Sequence, residues 1–408
     1  MDQQFLERFR ERSAYETARV EPPDGFPKLP DLPLGRYTDP AFQELEAEHL
    51  FKRGWLYAAH ESELPTPGSY KLCDIVGAPI LLARDDDGEV RAFYNACRHR
   101  GAPVVRGTSG EARMLVCQFH SWSYNLRGEL VRVPDERDFI GLQKEERCLP
   151  SVRCERWGGW YFVNLDPDAI PLLEYLDPLP RLLPEVAAAP FRVIDTKSVE
   201  LACNWKLLAE AFLEVYHART IHPKTVGPSL DTRGTVITLY DHGHQSMLSP
   251  VNAGTRSDNR ERLPVFEGAT EIFRAGVQPA HGFFPNLITP LDARGFPFLV
   301  FWPLAIDRTR LDIVWFAADW GDGPQPAEHQ EIWQHRLTRF DTVMDEDYEN
   351  LAPIQRSMEF AAHGGQAINY QERRIWHVQA WIDKVIGPER IPEHLRVPDL
   401  LDAWVEHP

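Results

Sequence analysis

Two matched arms of cysteine and histidine carry the clearest chemistry in this chain. Cys97-Arg98-His99 is followed, seventeen residues later, by Cys117-Gln118-Phe119-His120. Each arm offers one thiolate and one imidazole. That donor set suits a [2Fe–2S] cluster with two cysteines on one iron and two histidines on the other. Neutral imidazoles in place of thiolates lower the negative charge of such a cluster and raise its potential. A structural zinc ion is the competing occupant, but zinc ligands come as like pairs, C-x2–4-C and H-x3–5-H. Here the pairs are mixed, C-x-H and C-x2-H, which argues against zinc.

A second set of ligands lies further along. Glu210, Glu214 and His217 follow one another at spacings of four and three, a polar stripe on the face of a helix expected over 204–219. His222 comes five residues after His217, a spacing that would splay the pair on a regular helix. Pro223 disfavours helical geometry at His222, so a terminating turn is expected to swing it back. A third ligand comes from a helix expected over 327–359, where Trp333, Leu337, Phe340, Met344, Leu351 and Ile354 trace an apolar stripe. Asp347 falls inside that stripe, and a carboxylate there is costly unless paired or metal-bound. Its neighbours Asp345, Glu346 and Glu349 read as solvated. Two histidines and one carboxylate on one face of an iron leave its other positions open, the facial triad of non-haem Fe(II) oxygenases. The H-x4-H pair alone would read as ordinary helix-end histidines; beside the two arms it reads as a metal site.

These ligands need two frames to hold them. A chain of 408 residues exceeds what one core supports. Residues 1–40, with the stretch EPPDGFPKLPDLPLG, read as an arm wrapping a surface, since proline excludes long helix and central strand. A short helix is expected from Asp39 to Arg53. Residues 41–166 read as a small all-β domain, its hairpins turning at DDDGE and LRGE. Residues 167–190 read as a proline-rich linker. Residues 191–408 form the second domain, with strands expected at Ser198–Leu201, Thr235–Leu239, Ser246–Leu248, Phe298–Pro303 and Arg310–Ala317. The fold class is α+β.

Bulk properties narrow the function. A formal charge of −17 disfavours nucleic acid as a partner. No apolar run reaches the length of a membrane span. The charged N-terminus lacks the apolar region of a secretory signal, which places the protein in the cytoplasm. Six cysteines in a chain this long do not make a disulfide scaffold. No G-x-G-x-x-G follows a strand, so a nicotinamide or flavin is not expected on this chain.

The stretch YNACRHRGAPV resembles the first cluster-binding arm of Rieske oxygenases, and CQFHSWSYNLRGEL resembles the second. NWKLLAEAFLEVYHARTIHP is similar to that family's mononuclear-iron motif, and DEDYENLAPIQRSM to its carboxylate motif. The resemblance runs from about Trp55 to Ile386. It implies Cys97, His99, Cys117 and His120 as cluster ligands, and His217, His222 and Asp347 as ligands of one mononuclear iron. It also implies a catalytic domain of antiparallel sheet covered by helices, of the helix-grip type. Ser121 and Arg98 stand where the family usually has glycine and often has proline, and Ala211 where many members have asparagine. Glu214 stands where many have aspartate; the resemblance gives it a catalytic role, linking His217 to the cluster ligand His120 of a neighbouring subunit.

The resemblance further implies the oxygenase component of a multicomponent system. Electrons come from a ferredoxin or flavin reductase, with NAD(P)H used only indirectly, and O2 is the co-substrate. The assembly is a head-to-tail homotrimer. The expected reaction is mono- or cis-dihydroxylation of an aromatic or other hydrophobic small molecule. Oxidative N- or O-demethylation and quaternary-ammonium monooxygenation are the alternatives within the family, and a Rieske-type electron carrier is the alternative outside enzymes. Phe212, Leu213, Met247, Phe284, Asn286 and Phe301 are the residues expected to line the substrate pocket.

Overall fold

The computed structural model describes residues 3–252, 260–269, 276–362 and 364–408. They divide into two compact units, Phe51–Tyr175, and Met1–Leu50 joined with Leu176–Pro408.

The smaller unit is all β. Strands β1 (Leu56–His60), β2 (Ser69–Ile75), β3 (Ala78–Arg84), β4 (Val90–Tyr94), β5 (Ser109–Glu111), β9 (Ser151–Trp157) and β10 (Trp160–Asn164) form an antiparallel sheet in the order β1-β10-β9-β4-β3-β2-β5. A second sheet holds β6 (Leu115–Val116), β7 (Ser123–Tyr124) and β8 (Leu130–Arg132). Polar side chains fix both expected hairpin turns. Asp85 Oδ1 accepts from the N–H groups of Asp87 and Glu89, and Asn125 Oδ1 from those of Arg127 and Glu129. Gly128, at φ 81°, closes the second turn so near Phe93 that a Cβ would stand 2.5 Å from its ring. Leu81, Phe93, Val104, Leu115, Trp122 and Tyr124 form the core, and Cys97 and Cys117 belong to it.

The larger unit is built on a seven-stranded antiparallel sheet in the order β11-β17-β16-β15-β14-β13-β12. Its strands are β11 (Phe191–Leu201), β12 (Val236–Leu239), β13 (Gln245–Pro250), β14 (Val277–Phe283), β15 (Leu287–Pro290), β16 (Gly295–Ala305) and β17 (Arg308–Ala318). Its main helices are α1 (Gln3–Ala18), α2 (Trp205–Glu210), α3 (Ala218–Ile221), α4 (Ala327–Glu359) and α5 (Arg373–Ile386). Strands β12 to β17 follow one another as a meander, whereas β11 and β12 occupy opposite edges. The chain from 202 to 235 must therefore travel from one edge to the other, and it carries α2, α3 and both histidines.

Three features differ from the sequence reading. The first part of the arm is a helix: α1 sets Leu6 and Phe9 against Val236, Leu248 and Val277. Residues 41–50, read as the start of the β domain, lie with the larger unit. Glu46 explains this, since its carboxylate meets Lys206 Nζ at 2.8 Å with both side chains 1% exposed. A charge so deeply buried needs its partner in the same core. The expected helix 204–219 is interrupted after Glu210 and resumes only at Ala218.

Candidate metal centres

In the β unit, the loop after β4 carries Cys97 and His99, and the turn between β6 and β7 carries Cys117 and His120. Buried Asn95 ties the first loop down, donating to Val105 O and accepting from the N–H groups of Val104 and Val105. Cys117 N–H donates to Trp122 O, and Ser121 N–H to Cys117 O, which closes the second turn. Ser121 pays for that closure with φ 59°, a left-handed conformation that favours glycine.

Both cysteines are buried, while His99 is half-buried and His120 exposed. The two imidazoles face each other with Nδ1 atoms 3.1 Å apart, and His99 stacks on Trp122 at 4.9 Å between ring centroids. Burial pushes the Cys97 thiol up, and Cys117 beside it adds to the rise; Tyr124 opposes them, its hydroxyl 3.3 Å from Cys97 Sγ. That hydroxyl accepts from Arg98 N–H, which leaves its proton for the sulfur. Two inward thiols and two outward imidazoles fit a cluster with unlike irons. Among the described residues, the histidine, cysteine and acidic side chains that crowd round a single point are a different trio.

That trio is His217, His222 and Asp347, whose ligand atoms all lie within 4.8 Å of one another. Asp347 Oδ1 stands 3.5 Å from His217 Nε2 and 3.2 Å from His222 Nε2. Asp347 is buried on α4 between Met344 and Leu351, in the apolar stripe. His222 ends α3 with φ −111° and ψ 46°, the turn that Pro223 implies. Gly227 packs under it, where a Cβ would come within 2.6 Å of the His222 carbonyl oxygen.

The break in the expected helix has a local cause. Glu214 is buried rather than displayed on a helix face, and its Oε2 accepts from the backbone N–H groups of Tyr216 and His217. It thus holds the turn that precedes α3 and does not share a helix face with Glu210. Its other oxygen, Oε1, takes the Nδ1 side of His217. Glu346 does the same for the second histidine: its Oε2 lies 2.7 Å from His222 Nδ1 and accepts from Thr225 Oγ1 at 2.6 Å. The sequence reading left Glu346 among the solvated acids, and this is corrected. Each imidazole thus has a carboxylate on Nδ1, which fixes the proton there and turns the Nε2 lone pair toward Asp347. Burial lowers the basicity of both rings, but the surrounding carboxylates outweigh it, and both pKa values end above the ordinary histidine value.

A cavity of about 280 Å3 opens beside the trio. Phe212, Met247, Ile288, Pro297, Trp315 and Phe340 are among its walls, so two residues expected in the substrate pocket, Phe212 and Met247, line it. Leu213, Phe284, Asn286 and Phe301 do not; they border a separate gap of about 20 Å3 against α2. The Asn286 amide is occupied by the Phe301 carbonyl, and Phe284 packs over Gly243, where a Cβ would lie 2.7 Å from its ring. An apolar run such as HGFFPNLITPL reads alike whichever part of the core it fills.

Comparison with known proteins agrees with this division. Residues 54–152 match the Rieske [2Fe-2S] domain, and residues 189–387 match the catalytic domain of the ring hydroxylating alpha subunit. The chain belongs to the Rieske non-haem iron oxygenase alpha subunits, whose cofactors are a [2Fe–2S] cluster and a mononuclear iron used with O2. It is 36% identical over 224 residues to the biphenyl 2,3-dioxygenase subunit alpha of Rhodococcus jostii (strain RHA1), covering 53% of this chain and 47% of that one. It is 33% identical over 197 residues to the carnitine monooxygenase oxygenase subunit of Escherichia coli (strain K12), covering 47% and 52%. The matched stretch thus spans about half the length of these relatives. In fold it is similar to a crystal structure of the quaternary ammonium Rieske monooxygenase CntA, with TM-score 0.75 and 21% identity over 91% of this chain and 100% of that one. Among the described residues no helix is long and apolar enough to cross a membrane.

Proposed function

We propose that the protein is the oxygenase component of a multicomponent Rieske oxygenase, hydroxylating an aromatic or other hydrophobic small molecule with O2 and electrons from a reductase or ferredoxin. The observation that carries this reading is the convergence of His217, His222 and Asp347 at the edge of an apolar cavity. Cys97, His99, Cys117 and His120 would hold the cluster, and the trio would hold the iron. When bound there, the two groups supply electron transfer and the activation of dioxygen.

The protein's own residues set the conditions for that chemistry. Glu214 and Glu346 keep the imidazole protons on Nδ1, so both Nε2 atoms stay free to bind metal. Phe212, Trp315 and Phe340 shape a wall against which a flat apolar substrate lies and from which water is excluded. Glu214 also suits a role between subunits. In a head-to-tail homotrimer it would connect His217 to the exposed His120 of a neighbouring copy, giving electrons a hydrogen-bonded path.

The test is an iron and acid-labile sulfide count with EPR on anaerobically purified protein. About three irons and two sulfides per chain, with a Rieske-type signal on reduction, are expected. Two irons and two sulfides would refute the mononuclear site. A second reading within the family, oxidative N- or O-demethylation including attack on a quaternary ammonium group, uses the same site. Release of formaldehyde during turnover identifies it.

A further inference from the structure

We infer that the substrate is an anion: an apolar molecule whose carboxylate is held by Arg339, with Arg336 behind it, at the end of the cavity remote from the iron ligands. This rests on the oxygenase reading above and narrows it to a substrate class.

One face of α4 lines the cavity, through Arg336, Arg339, Phe340, Val343, Met344 and Asp347. These positions recur at steps of three and four and so share one side of the helix. The helix is therefore a ruler for the site. At 1.5 Å per residue, Arg339 stands about 12 Å and Arg336 about 16 Å along the axis from Asp347. The positions between them are apolar.

The two ends carry opposite charge. At the metal end are Asp347 and Glu214; at the other are Arg260, Arg336 and Arg339, with Asp292 as the acid among them. Asp292 is already engaged, 2.9 Å from Arg260 Nη1 and 3.9 Å from Arg336 Nη2. Arg336 is further held by the Trp333 ring, 4.3 Å from its centroid. Arg339 makes no hydrogen bond or ion pair among the described residues. Arg339 thus presents a guanidinium with no acid on it among the described residues, in a concave, largely apolar site. The planar fork of arginine matches a carboxylate with two parallel hydrogen bonds. The polarity also orients the ligand. An acid enters with its charged end on the arginines, and its apolar far end comes to the metal ligands. A carbon within about 12 Å of the carboxylate is thereby presented for oxygenation, the rise between Arg339 and Asp347 being the upper limit and the reach of the arginine side chain shortening it.

The test is calorimetric titration of the holoenzyme with ω-phenylalkanoates, from phenylacetate to 8-phenyloctanoate, and with their methyl esters. The acids whose length fits that span are expected to bind, and their esters more weakly. Arg339→Met should weaken the acids about 10- to 100-fold, the loss of a charge-assisted pair, without changing the esters. Arg339→Lys should recover part of the difference. Equal binding of acid and ester, no binding by any acid, or an acid affinity unchanged in Arg339→Met would overturn the inference. Iron counts on the same samples keep the two readings apart. An iron-replete protein that prefers the esters refutes the anion site alone. Arg339-dependent acid binding in a protein lacking mononuclear iron would support the anion site and refute the oxygenase assignment.

Discussion

Replacing Glu346 by alanine is expected to weaken the iron site without removing an iron ligand. The carboxylate touches His222 Nδ1 at 2.7 Å and is itself fixed by Thr225 Oγ1 at 2.6 Å. Without it, the ring of His222 loses both the acceptor that fixes its tautomer and the charge that raises its basicity. Loss of such a partner typically costs 10- to 100-fold in metal affinity, about 1.4–2.7 kcal/mol. The Glu346 side chain is 26% exposed, and water can replace part of the contact, so the expected loss lies near tenfold. Glu346→Gln keeps an acceptor oxygen and should lose less; Thr225→Val, which removes only the support, should lose least. The measurement is chelator competition for Fe(II), with the visible absorption of the cluster as internal control. If Glu346→Ala binds iron as tightly as the unaltered protein while Glu214→Ala does not, the backbone of the His222 turn alone orients that ligand and the reasoning fails.

Other outcomes follow from the same geometry. Asp347→Asn should lose the mononuclear iron yet keep cluster absorption and EPR; loss of both signals would mean that Asp347 serves the fold rather than the metal. Tyr124→Phe removes the hydroxyl 3.3 Å from Cys97 Sγ and should lower the cluster potential by roughly 20–60 mV, the equivalent of one hydrogen bond, in a redox titration followed by circular dichroism. Burial, opposed by Tyr37, Gln379 and Lys206, pushes the Glu210 carboxyl up from 4.5 to about 7. Folding therefore takes up a proton between these values, so this group's contribution is most favourable below about pH 4.5 and declines by about 3 kcal/mol as pH rises to 7. Glu210→Gln should flatten that decline in denaturant titrations; an unchanged slope assigns it to other groups. Ser121→Gly relieves a φ of 59° and should stabilise the β unit by about 1 kcal/mol in thermal unfolding, against no change if the turn relaxes around serine.

What could be read from the sequence was local. The cysteine and histidine arms declare themselves by residue type and spacing. The strands of the larger unit show in runs such as Phe298–Pro303, which lies within β16. The helix 327–359 shows in its periodicity, and α4 spans Ala327–Glu359. Asp347 stood out because an acid in an apolar stripe demands a partner. Glu346, one residue away, gave no such signal. It projects from the side of α4 that periodicity assigns to water, and its partner His222 lies 124 positions earlier. The N-terminal helix α1 was obscured by the prolines that follow it. Its apolar residues Leu6 and Phe9 find their counterpart only on β12, β13 and β14.

The interruption after Glu210 shows where local rules give out. Helix propensity favours continuing through Ala211 to Val215, and only the capture of two backbone N–H groups by the buried Glu214 carboxylate makes the break worth its cost. The substrate pocket is a similar case. Apolar residues look alike whether they wall a cavity or fill a core, so the sequence could offer Phe301 as readily as Phe212. By itself the sequence determined which atoms could bind metal, because ligand chemistry is a property of residue type. Only the tertiary structure decided which carboxylates hold the imidazoles and where the cavity runs, because both depend on distances between segments that no local pattern encodes.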